Sequence, residues 1–472
     1  MSESSYQTYL SDIRLRMTRA APPHLLAIAL LASVASNGAA AEDADAASAL
    51  MVSGRGHGLL FDGEARKQAS VPDAIAESIW KMQPQLSEWR RHLHMHPEIS
   101  DEEVETSKFL VKTLTDMGFK PKPFGPSTGV IVDVEGADTS LTIGVRADID
   151  ALPFTEVDDG REYRSMNDGA MHACGHDAHT TVVLGVAKAI ADGLFTPPAN
   201  LRLIFQPAEE IGKGAQGMID AGVLKGVDVI VGLHSDPTRE WGRVGITAST
   251  FSAYANGFVI EVDGLASHGG MSPEKGLDAI MASSFVVAQM QTIVSRNVAP
   301  PDASTITVGT FKAGNAPNQV ADKAVLSGTM RAQDGELYAH VRQRMVEVVE
   351  GASKSFGMPM KIDFPVELPG TENNETMFKL FNEAAESVLG PENVDVYKAA
   401  NMAGEDFAAY SQVRPAFFYW LGIANNEKGI NKTLHTIDFD IDERALPVGV
   451  ALQLAQIKKL AEYHAGGGKF EQ

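Results

Sequence analysis

The only cysteine of this 472-residue chain lies among three histidines and an aspartate, in Met171-His172-Ala173-Cys174-Gly175-His176-Asp177-Ala178-His179. Gln206-Pro207-Ala208-Glu209-Glu210 and Gly232-Leu233-His234 follow, each just after an apolar run that reads as a strand. Thiolate, imidazole and carboxylate are the side chains that hold zinc and its neighbours among the transition metals. Gly175 lets the backbone kink, so that Cys174 and His176 can reach one centre. Adjacent glutamates in a loop can point differently, one toward an ion and one free to move a proton. The pattern describes a metal-dependent hydrolase. Each piece alone has a plainer reading, a buried free cysteine or a solvated acidic pair. Their shared place at successive strand ends favours a site, because open α/β sheets bind ligands beyond the carboxyl ends of their strands.

A pair of ions needs more ligands than Cys174, His176, one of the two glutamates and His234, and His435 in Leu434-His435-Thr436 is the late candidate. Asp148, in Arg146-Ala147-Asp148-Ile149-Asp150, follows another strand and could orient a ligand. Surface aspartates in a loop are the alternative there. His172 and His179 read as supporting or packing residues. His92, His94 and His96 precede Pro97, with only Glu98 nearby, and read as structural.

These residues need elements to hold them. Apolar spacing of three and four predicts helix through 71–118, with Pro84 kinking it and Pro97 ending its first part. A second helix is expected at 101–117. Strands at 130–134, 141–145, 201–205 and 227–231 alternate with helices at 180–191 and 214–221. Such alternation predicts an α/β sheet with helices on both faces. From 248 the pattern becomes strand-helix-strand-strand-helix-strand, the split βαβ of a ferredoxin-like α+β unit. Its strands fall at 258–262, 304–311, 324–331 and 361–364, and its helices at 276–294 and 336–356. The α/β character returns from 367 and ends in a helix at 446–464. The expected division is therefore a catalytic domain at 71–247 and 367–472, with an inserted domain at 248–366.

Composition narrows the partners. Hydrophobic residues make up 44% and charged residues 21%, enough apolar content for a large core. A net charge of −21 argues against nucleic acid or an anionic membrane as partner. One cysteine excludes an internal disulfide framework. Arg14, Arg16 and Arg19 precede an apolar run at 25–32 and small residues at 38–41. This predicts a cleaved secretory signal at 1–41, a leader at 42–70 and an exported, periplasmic protein with no membrane contact after cleavage.

Six ordered motifs resemble the metal-dependent aminoacylase and carboxypeptidase family, in its amidohydrolase branch with hippurate and auxin-conjugate hydrolases. They are the segments at 146–153, 171–179, 206–210 and 232–234, Gly328-Thr329-Met330-Arg331, and Gly404-Glu405-Asp406-Phe407. The resemblance implies two divalent ions per subunit, zinc first, with manganese, cobalt or nickel as alternatives. It implies that Cys174 bridges them and that His176, Glu210, His234 and His435 complete the ligands. Glu209 would be the general base toward the attacking water. His268 would be a lid histidine that reaches a neighbouring subunit's site and stabilises the oxyanion, and Asn318 and Arg331 would hold the substrate carboxylate. The inserted domain would be the lid and the surface of a homodimer. The chain departs from many relatives in Met271-Ser272-Pro273-Glu274-Lys275, with glutamate where histidine often stands. The implied substrate is an N-acyl amino acid or a dipeptide-like amide with a free carboxylate. An exopeptidase is one alternative, and a non-catalytic periplasmic binding protein is another.

Overall fold

The computed structural model describes residues 77–471, apart from 126–127 and 399. The expected signal at 1–41 and leader at 42–70 lie outside those residues. No helix among the described residues is long and apolar enough to cross a membrane.

After a single helical turn at Glu77–Trp80, the described chain forms two helices, α1 (Gln83–Met95) and α2 (Val104–Asp116). Pro84 lies in the first turn of α1, where a proline removes no helical hydrogen bond, so it starts the helix and does not kink it. The chain then builds β1 (Lys122–Pro123), β2 (Val130–Val134) and β3 (Asp138–Asp148). Next come α3 (His176–Ala191), β4 (Ala199–Gln206), α4 (Gly214–Asp220), β5 (Val229–Glu240) and β6 (Val244–Ile246). After β7 (Thr250–Ser252) it enters a second unit of β8 (Tyr254–Asp263), β9 (Ser267–His268), α5 (Ala279–Asn297) and β10 (Ser304–Ala313). That unit continues through β11 (Gln319–Val320), β12 (Lys323–Ala332), α6 (Gly335–Phe356) and β13 (Met360–Leu368). It returns by β14 (Thr371–Glu372), α7 (Glu375–Leu389), β15 (Val394–Val396), β16 (Ala416–Ala424) and α8 (Ala445–Ala465).

The main sheet has the order β1-β2-β4-β3-β5-β16-β6-β15, and it is mixed. Its centre, from β4 through β3 and β5 to β16, is parallel, while β2 and β6 join antiparallel. The parallel centre explains the apolar runs, since both faces are covered and strands such as β16 are buried throughout. Helix α3 packs between α1 and α8. Gly185 permits the close approach to α8, because a Cβ there would stand 2.4 Å from the Val450 side chain. The second unit has a four-stranded antiparallel sheet, β10-β12-β8-β13, with its own core around Phe258, Ile260, Leu326, Met330 and Met345. Asp278 and Asp334 cap α5 and α6 by accepting backbone N–H bonds, each such cap contributing about 1 kcal/mol.

The fold is the α/β mixed sheet with an additional α+β sheet that the alternation predicts. Three boundaries differ in ways that matter for the site. Helix α3 starts at His176, not at 180, so His176 sits in its first turn. Strand β3 runs on to Asp148. Strand β5 does not stop near 231 but continues through His234 and past Pro237, because β16 pairs with it beyond that point through a register shift.

Candidate metal centre

Segments that follow three central strands, β3, β4 and β16, and His234 within β5 bring the donors together. Cys174 Sγ lies 3.5 Å from His234 Nε2 and 3.3 Å from His435 Nε2. His176 Nε2 lies 3.8 Å from Glu210 Oε1 and 3.9 Å from Glu209 Oε2, and Glu210 Oε2 is 3.6 Å from His435 Nε2. Nitrogen and sulfur ligands of one tetrahedral ion are about 3.5 Å apart, so the spacing suits shared ions better than direct bonds. Buried His176 Nε2 and Glu210 Oε1 have no hydrogen-bond partner, which is the state of atoms that await a ligand partner. The residues present fit a two-ion group.

Backbone and neighbouring side chains aim these donors. Gly175 has φ 89°, and a Cβ there would meet Ser235 Oγ at 2.7 Å. Ala208 and His435 also take left-handed backbone, with φ 56° and 61°, a strain that a packed site can hold in place. The His435 N–H donates to the Ala173 carbonyl at 2.7 Å, tying the late ligand to the cysteine loop. His176 Nδ1 faces the Asp150 carbonyl at 2.9 Å, and His234 Nδ1 faces the Ser235 carbonyl at 2.9 Å. A carbonyl only accepts, so in the neutral rings each Nδ1 carries the proton and each Nε2 is left with its lone pair for an ion.

Asp148 is placed differently from the expected orienter of a ligand. Its Oδ1 is 2.6 Å from His179 Nδ1, and its Oδ2 accepts from Arg146 at 2.7 Å. Asp150 does the orienting instead, since its Oδ2 also accepts the Glu210 N–H at 3.0 Å. Beneath Glu209 lies a buried group that the spacing did not single out. Arg146 bridges Asp148, Glu405 and Asp406, and the Asp406 N–H donates to Glu209 Oε1 at 3.2 Å. The sequence signals for it are the matched segments at 146–153 and Gly404-Glu405-Asp406-Phe407.

The electrostatics describe a site short of positive charge. Burial, then the charges of Glu405, Asp406 and Glu210, pushes Glu209 well above the usual carboxylate range. Burial likewise raises Glu210 to about 7. Burial, with the Glu210 charge, pushes the Cys174 thiol up. Burial pulls His176 down, but Asp148 and Cys174 more than offset it and raise it. Cations held by these donors would reverse each of these shifts, favouring thiolate, carboxylate and neutral imidazole.

The expected lid residues stand elsewhere. His268, in β9, is exposed, and its Nδ1 accepts the Gly270 and Met271 N–H groups at 3.1 and 3.0 Å. Asn318 abuts it, its carbonyl accepting the Gly269 N–H at 2.9 Å. Arg331, in β12, donates to the Met402 carbonyl at 2.7 Å, next to the loop that holds Glu209. His172 is buried with both ring nitrogens unpartnered, and His179 is fully engaged by Asp148 and Ser235.

Thiolate, imidazole and carboxylate donors at the rim of a mixed α/β sheet, with a free glutamate beside them, define a metal-dependent hydrolase. The chain belongs to peptidase family M20/M25/M40, whose model matches residues 144–459. It is 37% identical over 369 residues to the N-acetyl-L-cysteine deacetylase of Bacillus subtilis (strain 168), covering 77% of this chain and 85% of that protein. An IAA-amino acid hydrolase of Arabidopsis thaliana, ILR1-like 5, is 35% identical, with 77% and 83% covered. The crystal structure of the Bacillus subtilis YXEP protein, a dinuclear metal binding peptidase of the M20 family, superposes with a TM-score of 0.70 at 30% identity. The match covers 81% of this chain and 99% of that one. The family resemblance read from the six motifs therefore holds.

Proposed function

We propose that the chain hydrolyses the amide bond of N-acyl amino acids, or of similar conjugates with a free carboxylate, with Glu209 as general base. One observation carries the reading: Glu209 stands beside His176 and Glu210 yet is held from behind by the Asp406 N–H, so it is positioned without being used up as a ligand. Cys174, His176, Glu210, His234 and His435 would hold two divalent ions, zinc first and manganese, cobalt or nickel otherwise. Those ions would supply the positive charge that acidifies a water and polarises the amide carbonyl. Glu209 takes a proton from the attacking water as the carbon–oxygen bond forms, then delivers it to the amine nitrogen as the carbon–nitrogen bond breaks. Arg331 and Asn318 receive the substrate carboxylate, which fixes the scissile bond near Glu209. His268 donates to the oxyanion, in a neighbouring subunit's site.

In this reading residues 248–366 form the lid and the contact of a homodimer, and the signal at 1–41 exports the chain to the periplasm. Support for the dimer comes from the outward face of α5, where Ile280, Met281 and Phe285 are exposed. Support for the substrate comes from the deacetylase and the conjugate hydrolase among the relatives. The test is amino-acid release from a panel of N-acyl amino acids and dipeptides, by metal-depleted protein with and without added zinc, manganese or cobalt. Ion-dependent release from acyl amino acids is expected. Release from dipeptides alone would make the chain an exopeptidase, and no release by ion-loaded protein would leave a binding protein. Glu209→Gln should bind ions normally and lose about 10²- to 10⁴-fold in kcat, the usual share of a general base.

A further inference from the structure

The histidine triplet at the end of α1 splits into two environments. His94 is fully buried, its ring between Asp177 at 2.8 Å and Glu156 at 3.1 Å, with Arg90 at 3.2 Å. His92 and His96 face the other way, into a groove of about 500 Å³ that Glu98, Glu105, Phe109 and Asn167 also line. No ring nitrogen of His92 or His96 bonds to another residue among the described ones. Nothing in the catalytic reading uses them.

We propose that His92 and His96 form a separate binding site for a late first-row divalent ion such as zinc, nickel or copper. The spacing of four places both rings on one face of α1. Their ring centres are 4.8 Å apart. An ion about 2.1 Å from one nitrogen of each of two rings, at an ordinary ligand angle, sets the ring centres about 5 Å apart. The ring centres are therefore at a separation that one shared ion permits. His92 is fixed from behind by stacking on Phe109, with centroids 4.3 Å apart and planes at 27°, so little ordering is left for binding to impose.

The location also favours a cation. His96 ends α1, its N–H closing on the His92 and Leu93 carbonyls, and the carbonyl end of a helix carries partial negative charge. Two lysines line the groove, but each is paired, Lys108 with Glu105 at 2.6 Å and Lys112 with Asp116 at 2.6 Å. Glu98 holds the start of α2 by accepting the Glu105 and Thr106 N–H groups. Water would complete the coordination, because the Glu98 and Glu105 carboxylates are already engaged and lend only nearby negative charge. Imidazole pairs select zinc, nickel and copper over magnesium or calcium.

The test is the number of zinc ions held by the full chain at saturation in equilibrium dialysis, read by elemental analysis. Three are expected for the wild type and two for His96→Gln and for His92→Phe, with hydrolysis unchanged. His92→Phe keeps the stack on Phe109, so a lost ion there is not a lost fold, and circular dichroism checks both variants. A Cys174→Ala His234→Ala double variant should retain one ion, which adding His96→Gln removes. That arm separates this site from the catalytic one, because zinc left at the remaining catalytic donors, His176, Glu210 and His435, would survive the added His96→Gln and zinc at His92 and His96 would not. Equal zinc content in the wild type and His96→Gln would overturn the proposal.

Discussion

Asp150 touches two candidate ligands at once. Its backbone carbonyl and its Oδ1 lie 2.9 and 3.2 Å from His176 Nδ1, while its Oδ2 accepts the Glu210 N–H and the Ser100 hydroxyl. Orienting groups of this kind typically change metal affinity by about 10- to 100-fold. Asp150→Ala is expected to weaken zinc binding by that much in competition with a chromogenic chelator, while KM for substrate barely moves. Unchanged affinity would mean that α3 alone aims His176. Gly175→Ala is expected to fail differently. The residue would adopt φ 89° and meet Ser235 at 2.7 Å, costing about 1–3 kcal/mol, to be read as a lower Tm in apo and loaded protein alike. The donors themselves were legible because thiolate, imidazole and paired carboxylates are rare together. The roles of Asp148 and Asp150 were not, since both follow the same strand and only the fold shows which one His179 and Arg146 have already claimed.

Three elements that carry the site are pinned by one buried arginine. Arg90 of α1 reaches Asp177 in the first turn of α3 at 2.8 Å and Asp440, five residues after His435, at 2.9 Å. Tyr163 donates to Asp440 at 2.8 Å, and Arg161 stands 3.7 Å from it. Burial would raise the Asp440 pKa, but Arg90 and Arg161 outweigh it and hold the carboxyl below its ordinary value. A depressed pKa means stability that is present above the unfolded carboxylate range, near pH 4, and lost as pH falls through the lower folded value. Asp440→Asn should therefore cost about 3 kcal/mol at neutral pH, as breaking a buried pair does, and should flatten the fall in stability below pH 4. Urea melts at pH 7 and pH 3 check both; an equal loss at the two pH values would contradict the linkage. Helices such as α5 and α6 could be read from their apolar spacing. Strand β16 could not, because nine consecutive buried residues show no period, and short apolar runs do not distinguish strand from buried helix. The extension of β5 past Pro237 was hidden for a related reason: proline argues against a strand until a partner strand with a register shift is in view.

At the scale of the whole molecule, the main sheet and the antiparallel β10-β12-β8-β13 sheet keep separate apolar cores. The second leaves Met281 58% and Phe285 59% exposed on α5, and β10 runs along an open edge of its sheet. Apolar side chains on an outward helix beside an open edge strand are the ordinary makings of a protein contact. In the proposed homodimer, His268 would give that contact a chemical consequence. Its Nδ1 accepts two backbone N–H groups, so in the neutral ring the proton sits on Nε2, turned out from its own turn and able to donate. If that donor serves the neighbouring subunit, assembly and turnover are linked. Met281→Glu with Phe285→Glu should yield a monomer by light scattering, with ion content intact and kcat lower by about 10²- to 10³-fold, the loss typical of one oxyanion donor. His268→Ala should lose as much while remaining a dimer, and mixing it with a Glu209→Gln dimer should restore activity, because half of the sites in a mixed dimer join an intact Glu209 to an intact His268. A monomer with full turnover would place the oxyanion donor within the chain itself and leave His268 with a role in the lid alone.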